Sequence, residues 1–435
     1  MALGGGSFTS QNKVLPGTYI NFVSAQNANA QLSDRGIATM ALELDWGVDD
    51  AVFEVTQEDF IKNSKKIFGY DYTSDKLKGL RDLFLNVNIL YAYKVNSGGT
   101  KAANTFATAK YKGIKGNDIK IGIAVNADVD SEFDVSTYVD GTTVDIQTVT
   151  TASELKSNDW VDFKSDATLT ATAATALTSG ANGTANGTSY QAYLDAIESY
   201  TYNTMGLVST DDTTKSLFVA FCKRMRDEMG IKFQLVVYNK AADYMGVINV
   251  NNKVTDSECS EASLVYWVTG VSAGCAVNKS NQNRKYDGEF TVDTSYTQSQ
   301  LASAIKAGRF TLHKVNSDIR VLEDINSMTT TTDECGDVFK DNQTIRVIDQ
   351  LANDDAVLFN TKYLGVVPNS KSGRISLWSD LVKIRQELQK ISAIQNFSDD
   401  DITVEQGDSK KSVVVTCAVE VVNAMSKLYM TCTIS

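Results

Sequence analysis

Residues 204–238 read TMGLVSTDDTTKSLFVAFCKRMRDEMGIKFQLVVY, and this stretch decides the fold class. Residues 204–208 and 232–238 are short apolar runs typical of buried strands. Between them, residues 215–229 place apolar side chains at helical spacing and stop before Gly230, a residue type that commonly follows the last turn of a helix. A strand, a helix and a second strand in this order predict a parallel βαβ unit with a right-handed crossover.

The segments that flank this unit differ in pattern and divide the chain. Residues 100–189 contain short alternating runs separated by turn-rich pieces, which predict a small β-sandwich. Residues 190–332 alternate between strand-like and helix-like stretches and extend the βαβ pattern. Residues 333–422 mix two helical stretches with further strands, which is typical of an α+β domain.

We therefore expect an α+β multidomain chain in which a small β-sandwich is inserted before an α/β domain and an α+β domain follows. A length of 435 residues suits about three domains of ordinary size. The expected boundaries are 1–22 for an N-terminal arm, 23–99 for an N-terminal α/β part that packs with the later domains, 100–189 for the β-sandwich, 190–332 for the α/β domain, 333–422 for the C-terminal domain and 423–435 for a C-terminal arm strand.

Both ends of the chain alternate like strands but have no obvious partner of their own. An end strand pairs either with its own sheet or with the sheet of a neighbouring copy, and the pattern alone favours its own sheet. The residues expected to form these arm strands are Thr18, Tyr19, Ile20 and Phe22 near the N-terminus, and Leu428, Met430, Cys432 and Ile434 on one face of the C-terminal run.

Composition argues against several classes of function. The net charge is -12 and the pI is near 4.8, whereas a nucleic-acid groove needs clustered Lys and Arg. No run of about 18 apolar residues is present, and the first residues lack the pattern of a signal peptide. We expect neither nucleic-acid binding nor membrane insertion.

Metal and cofactor sites are equally poorly supported. The chain has six cysteines, none in a C-x-x-C pair, and its single histidine is His313. A structural zinc site needs several such ligands at close spacing. A Ser-His-Asp triad needs its histidine as general base, and His313 lies in an alternating, strand-like run. We therefore expect no metal, no cofactor and no triad.

One short segment is a candidate for chemistry. Asp211 and Asp212 follow a buried strand and precede a helix, the position where open α/β sheets bind ligands. Two adjacent carboxylates can do acid–base work. The same residue types also cap helix N-termini, and the sequence favours that interpretation because no second cluster of acidic or ligand residues accompanies them.

Taken in order, several segments resemble the contractile tail sheath proteins of myophages, defective prophages and R-type bacteriocins. The resemblance runs over essentially the whole chain. Each piece alone is weak, but their order and spacing are specific. The segments are LPGTY at 15–19, YKGIKGN at 111–117, STD at 209–211, KRMRD at 223–227, WVTGVSAG at 267–274, IRVID at 345–349, YLGVVPN at 363–369 and NAMSKLY at 423–429.

The resemblance implies a structural protein without enzymatic activity, whose α/β domain is called subtilisin-like for its fold alone. It implies hexameric rings that stack around a tail tube, contract, and drive the tube through a cell envelope. The implied partners are further copies of the chain, the tube protein, and baseplate and tail terminator proteins. The implied location is a phage or phage-tail-like particle assembled in the bacterial cytoplasm.

The resemblance also gives the two ends a role. In such proteins, N- and C-terminal arms complete the sheet of another subunit. We expect hinges for these arms at residues 4–12 and 423–426. The alternatives are another self-assembling particle protein, such as a capsid or surface-layer component, and a hydrolase that uses Asp211 and Asp212.

Overall fold

The computed structural model describes residues 32–434. The α-helices in this part of the chain are α1 Gln57–Phe68, α2 Lys78–Phe84, α3 Gly187–Ile197, α4 Asp212–Lys223, α5 Leu264–Gly274, α6 Gln298–Lys306, α7 Asn342–Leu358 and α8 Lys371–Lys390. The strands are β1 Ile37–Leu42, β2 Val52–Thr56, β3 Ile89–Lys94, β4 Ala107–Ala109, β5 Ile119–Val125, β6 Phe133–Val139, β7 Thr142–Val149, β8 Val161–Phe163, β9 Thr172–Ala176, β10 Thr204–Leu207, β11 Gln234–Tyr238, β12 Val247–Val250, β13 Arg309–Phe310, β14 Leu312–Val315, β15 Asp318–Val321, β16 Ile394–Gln395, β17 Ile402–Gln406, β18 Val413–Cys417 and β19 Glu420–Val421.

The largest sheet has seven strands in the order β13-β12-β11-β10-β1-β3-β2. All neighbours are parallel except β2, which runs antiparallel to β3 at one edge. β10, α4 and β11 form the predicted βαβ unit, and β10 pairs directly with β11. β1 to β3 precede the β-sandwich in sequence, whereas β10 to β13 follow it, so one sheet joins two distant parts of the chain.

Helices cover both faces of this sheet, and its central strands are accordingly buried. In β11, Leu235 and Val237 enter one hydrophobic core, and Val236 and Tyr238 enter the other. Every residue of β10, β11 and β12 is buried, as expected for parallel strands packed on two sides. α5 packs closely against the end of α2. This close approach requires glycine at position 270, since a Cβ atom there would lie 2.6 Å from the Leu83 carbonyl oxygen.

The predicted β-sandwich forms between β3 and α3. A four-stranded sheet, in the order β7-β6-β5-β9, packs with the short β4–β8 pair around Ile121, Val135 and Trp160. Trp46 belongs to the segment after β1, but its ring enters this core and lies 5.4 Å from the Trp160 ring. The entry and exit of the sandwich lie side by side, because the amide of Gly183 donates to the Asn96 carbonyl at 2.9 Å.

The C-terminal α+β part contains α7, α8 and the strands β16 to β19. Leu377, Leu381, Ile384 and Leu388 of α8 are buried in its core. Buried ion pairs attach this part to the α/β sheet, and the Arg346 guanidinium lies 2.6 Å from the Asp324 carboxylate.

A second ion pair crosses the same boundary. Arg226 lies in a π-helical turn after α4 and donates twice to the Asp349 carboxylate of α7, at 2.6 and 2.8 Å. Both side chains are less than a tenth exposed. A charge pair removed from water in this way must stay paired, since either ion alone would carry the full cost of its burial.

At two places in the described chain, an alternating pattern is not accompanied by a strand. The alternating residues 42–46 lie largely outside β1, which ends at Leu42, because Trp46 turns away into the sandwich core. The C-terminal run at 427–434 forms no strand within this single chain. The N-terminal arm residues and the hinge at 4–12 lie outside the described residues.

Breaking the Arg226–Asp349 pair should destabilise the subunit. We expect Arg226→Met to lower the free energy of unfolding by about 3–5 kcal/mol, because Asp349 stays buried without its cation. Arg224→Met is the matched control, because the Arg224–Glu198 pair is one-third or more exposed and should contribute about 0–1 kcal/mol. Urea unfolding followed by tryptophan fluorescence measures both, and equal losses would contradict the expectation.

Asp82 should make stability depend on pH. Its buried carboxylate accepts from the Tyr286 hydroxyl at 2.9 Å and the Glu289 amide at 2.8 Å, and burial raises its pKa to about 6. Because this pKa lies above the unfolded value of 3.8, the folded state binds the proton more tightly. The contribution of Asp82 is therefore most favourable below about pH 4 and declines as the pH rises to about 6.

We expect Asp82→Asn to remove this dependence. The difference in unfolding free energy, variant minus wild type, should increase by about 1–3 kcal/mol from pH 4.5 to pH 7.5. Chemical unfolding at the two pH values measures the change, with exposed Asp130→Asn as the control. A difference that does not vary with pH would rule out this role for Asp82.

Candidate assembly surface at the C-terminal arm

The two carboxylates considered for catalysis serve the local fold. Asp211 is the N-cap of α4, and its carboxylate accepts from the Thr214 amide at 2.6 Å. Hydrogen bonds from Thr214 lower the pKa of Asp211. Asp212 lies 2.9 Å from the Lys240 ammonium. The arrangement is that of a capped and charge-paired helix start, so the capping interpretation is confirmed.

His313 lies on β14, opposite Arg320 of β15. Burial lowers its pKa, which favours the neutral ring. Within residues 32–434, no three His, Cys, Asp or Glu side chains lie close enough together to hold a metal ion. Every helix in the same range is too short or too polar to cross a membrane.

The chain is held in place up to Ala424. β19 pairs with β16, with Val421 opposite Ile394. The side chain of Gln343, at the start of α7, then donates to the Val422 carbonyl and accepts from the Ala424 amide, both at 3.0 Å. One amide side chain thus makes the two hydrogen bonds that a neighbouring strand would make.

Beyond Ala424, the chain extends away from the domain into solvent. Met425, Leu428, Tyr429, Met430 and Ile434 are each at least three-quarters exposed. Residues 425–434 make no backbone hydrogen bond to any other described residue. Among the described residues, the arm therefore pairs with none of the chain's own strands. The anchoring of Asn423 and Ala424 also moves the start of the expected hinge to Met425.

An uncovered strand edge lies in the same domain. β17 and β18 form a two-stranded antiparallel sheet, and no other described strand pairs with either. Val414 and Val415 of β18 are 53% and 41% exposed. Beside β17, a groove is lined by Arg374, Ile375, Trp378 and Val404, among other residues. This part of the surface combines an open edge with apolar side chains.

The sequence predicted some of these features and missed others. The alternation of Leu428, Met430, Cys432 and Ile434 marked the arm. The clamp by Gln343 was missed, because nothing in the sequence around a buried glutamine points to a partner 79 residues away. The open edge of β18 was also missed, since an edge is a property of the assembled sheet.

Four domain families match successive parts of the chain. They are the Gp18 tail sheath protein domain III N-terminal region at residues 35–95, the phage tail sheath protein β-sandwich domain at 97–182, the phage tail sheath protein central domain at 183–327 and the phage tail sheath C-terminal domain at 334–435.

Individual proteins match over the full length. The sheath tail protein of Desulfitobacterium hafniense has a solved structure that is 36% identical, with a TM-score of 0.82 over 95% of this chain and 99% of that one. Protein XkdK of the phage-like element PBSX, from Bacillus subtilis, is 30% identical over 98% of this chain and 99% of its own length.

A more distant structure shares the fold alone. The helical sheath of the anti-feeding prophage in its contracted state is 12% identical, with a TM-score of 0.58 over 97% of this chain and 99% of that one. The close relatives are structural proteins, so the hydrolase alternative is wrong. The match of four successive domains and the full-length relatives lead to one conclusion: the chain belongs to the phage tail sheath protein family, the structural sheath proteins of contractile injection systems.

Proposed function

We propose that copies of this chain assemble into stacked hexameric rings around a tail tube, and that contraction of this sheath drives the tube through a target cell envelope. The observation that carries the proposal is the C-terminal arm. It is anchored at Ala424 and then presents a row of apolar side chains to solvent. A strand that its own sheet does not use is suited to completing the sheet of another copy.

The partner surface is best supplied by the β17–β18 edge of a neighbouring copy. An arm strand added there would satisfy backbone groups on both sides of the contact. Leu428, Met430, Cys432 and Ile434 share one face of the arm. Facing inward, they would cover apolar surface such as that of Val415 and reduce its exposure to water. The N-terminal arm, through Thr18, Tyr19, Ile20 and Phe22, would join the same linkage.

This linkage suits an assembly whose subunits move relative to one another without separating. Hydrogen bonds across a shared sheet would hold the subunits together, while the chain bends just after Ala424. The driving force would be a difference in interface free energy between the extended and contracted lattices, multiplied over many copies. The tube, baseplate and tail terminator proteins would be further partners, and assembly would take place in the bacterial cytoplasm.

Removing the arm should abolish assembly but leave the fold intact. We expect a version that ends at Ala424 to remain a folded monomer, whereas the full chain forms tubes in negative-stain microscopy. The control replaces residues 425–435 with a Gly/Ser sequence of equal length. Tubes from the shortened chain, seen beside a circular dichroism spectrum like that of the full chain, would contradict the proposal.

The two faces of the arm should also differ in effect. Met430→Asp places a charge on the face expected to be buried, whereas Thr431→Asp places the same charge on the opposite face. We expect Met430→Asp to reduce the assembled fraction in sedimentation at least tenfold more than Thr431→Asp, since burying an unpaired charge is costly. Equal effects would argue against pairing in this register.

A further inference from the structure

A polar cavity lies where the first described residues meet α7. Its volume is about 230 Å³, which is ample for a small ion. It lies between the α/β sheet and the C-terminal domain. Its lining includes Arg35, Tyr202, Lys232 and Arg346. These side chains bring three positive charges and a hydroxyl to one enclosed space.

Arg346 has hydrogen-bonding capacity that the fold does not use. Its side chain is 1% exposed, and its Nη2 atom donates to the Asp324 carboxylate at 2.6 Å and to the Lys279 carbonyl at 2.9 Å. Its Nε and Nη1 atoms have no hydrogen-bond partner among the described residues. Buried N–H groups are normally paired, so each of these two points to an absent acceptor.

The other donors in the lining are also short of acceptors. The Tyr202 hydroxyl is buried and has no partner within the described part of the chain. Arg35 donates only to the backbone carbonyls of Ser272 and Cys275, and Lys232 donates to the Arg226 carbonyl. Within residues 32–434, neither Arg35 nor Lys232 has a carboxylate at ion-pair distance.

The lining also holds three carboxylates, of which Asp354 has no cation at ion-pair distance among the described residues. Asp349 accepts both hydrogen bonds from Arg226. Asp354 accepts from Ser33 and Gln350. Asp34 is exposed to solvent. The buried donors of the lining that lack a partner in the described chain are therefore Nε and Nη1 of Arg346 and the Tyr202 hydroxyl.

We propose that this cavity binds a small oxyanion of the phosphate class, bridging the guanidinium groups of Arg35 and Arg346 and accepting from the Tyr202 hydroxyl. Water can fill a polar cavity, but an anion accepts stronger hydrogen bonds from guanidinium groups than water does. The pKa of Arg35 is lowered to about 10, first by burial and next by the positive charge of Arg346, while Cys275, Asp349 and Asp354 act in the opposite direction. A bound anion would relieve that repulsion.

Bound there, the anion would connect two parts of the subunit. Arg35 belongs to the segment that leads into β1, whereas Arg346 belongs to α7 of the C-terminal domain. The proposal does not depend on the assembly model, because it concerns the isolated chain.

The test is the binding of inorganic phosphate to the full-length chain. We expect phosphate to raise the thermal unfolding midpoint in a saturable way, and chloride at equal ionic strength not to do so. Isothermal titration calorimetry measures the affinity. Tyr202→Phe should weaken it about tenfold, as expected for losing one hydrogen bond to a charged group. Tyr200→Phe is the control, because the Tyr200 ring packs against Tyr91, with ring centroids 5.0 Å apart, and does not line the cavity.

A second variant guards against an uninformative result. Lys232→Gln removes one cation from the lining and should also weaken phosphate binding. In calorimetry with sulfate, the variants should rank in the same order of affinity. Equal stabilisation by phosphate and chloride would overturn the proposal. Unchanged affinity in both Tyr202→Phe and Lys232→Gln would overturn it as well.

Discussion

The parallel pairing of β1 with β10 is the contact on which the rest of the fold depends. Ala38 lies opposite Thr204, and Thr39 lies opposite Met205. The two strands are separated in sequence by the whole β-sandwich, so this ladder closes a very long loop. Parallel strands need cover on both faces, and the helices that supply it come from both sides of the insertion. Without this ladder, neither core would be complete.

The buried ion pairs extend the same constraint to the C-terminal domain. Arg226 reaches Asp349 because the chain after α4 widens into a π-helical turn. Such pairs contribute little net stability, since desolvation offsets much of their attraction, but each ion is costly to leave alone. They therefore favour one arrangement of the two domains. A fixed arrangement of this kind would suit a subunit whose arm moves, as proposed above, while its two domains stay together.

The sequence predicted what local patterns encode and missed what depends on distant partners. The βαβ unit at 204–238 was predicted because each element carries its own period. Residues 42–46 alternate as a strand does, yet Trp46 is taken into a core built by residues far along the chain. The periodicity at 215–229 predicted one helix, whereas the structure changes to a π-helical turn at Arg224, within which Arg226 contacts Asp349.

For the arm, too, the sequence predicted local features and missed those that depend on distant residues. Its alternation was visible, and so was the cap at Asp211, because both are short-range patterns. Its anchoring by Gln343 and the open edge of β18 were not visible, since each depends on the completed domain. Side chains such as Arg346 carry no sequence signal for an unused donor, which becomes apparent only when every neighbour is in place.

The adjacent entry and exit of the β-sandwich have a consequence for how such chains vary. The Gly183 amide donates to the Asn96 carbonyl, so the two ends of the inserted sandwich lie next to each other. For the main sheet, the insertion is therefore equivalent to a short connection. A domain joined in this manner can be lost, enlarged or exchanged without changing the register of the strands on either side. Trp46 is one residue that would have to change with it, since its ring is shared with the sandwich core. The subunit thus has a natural attachment point at which a foreign domain could be carried in many regularly spaced copies.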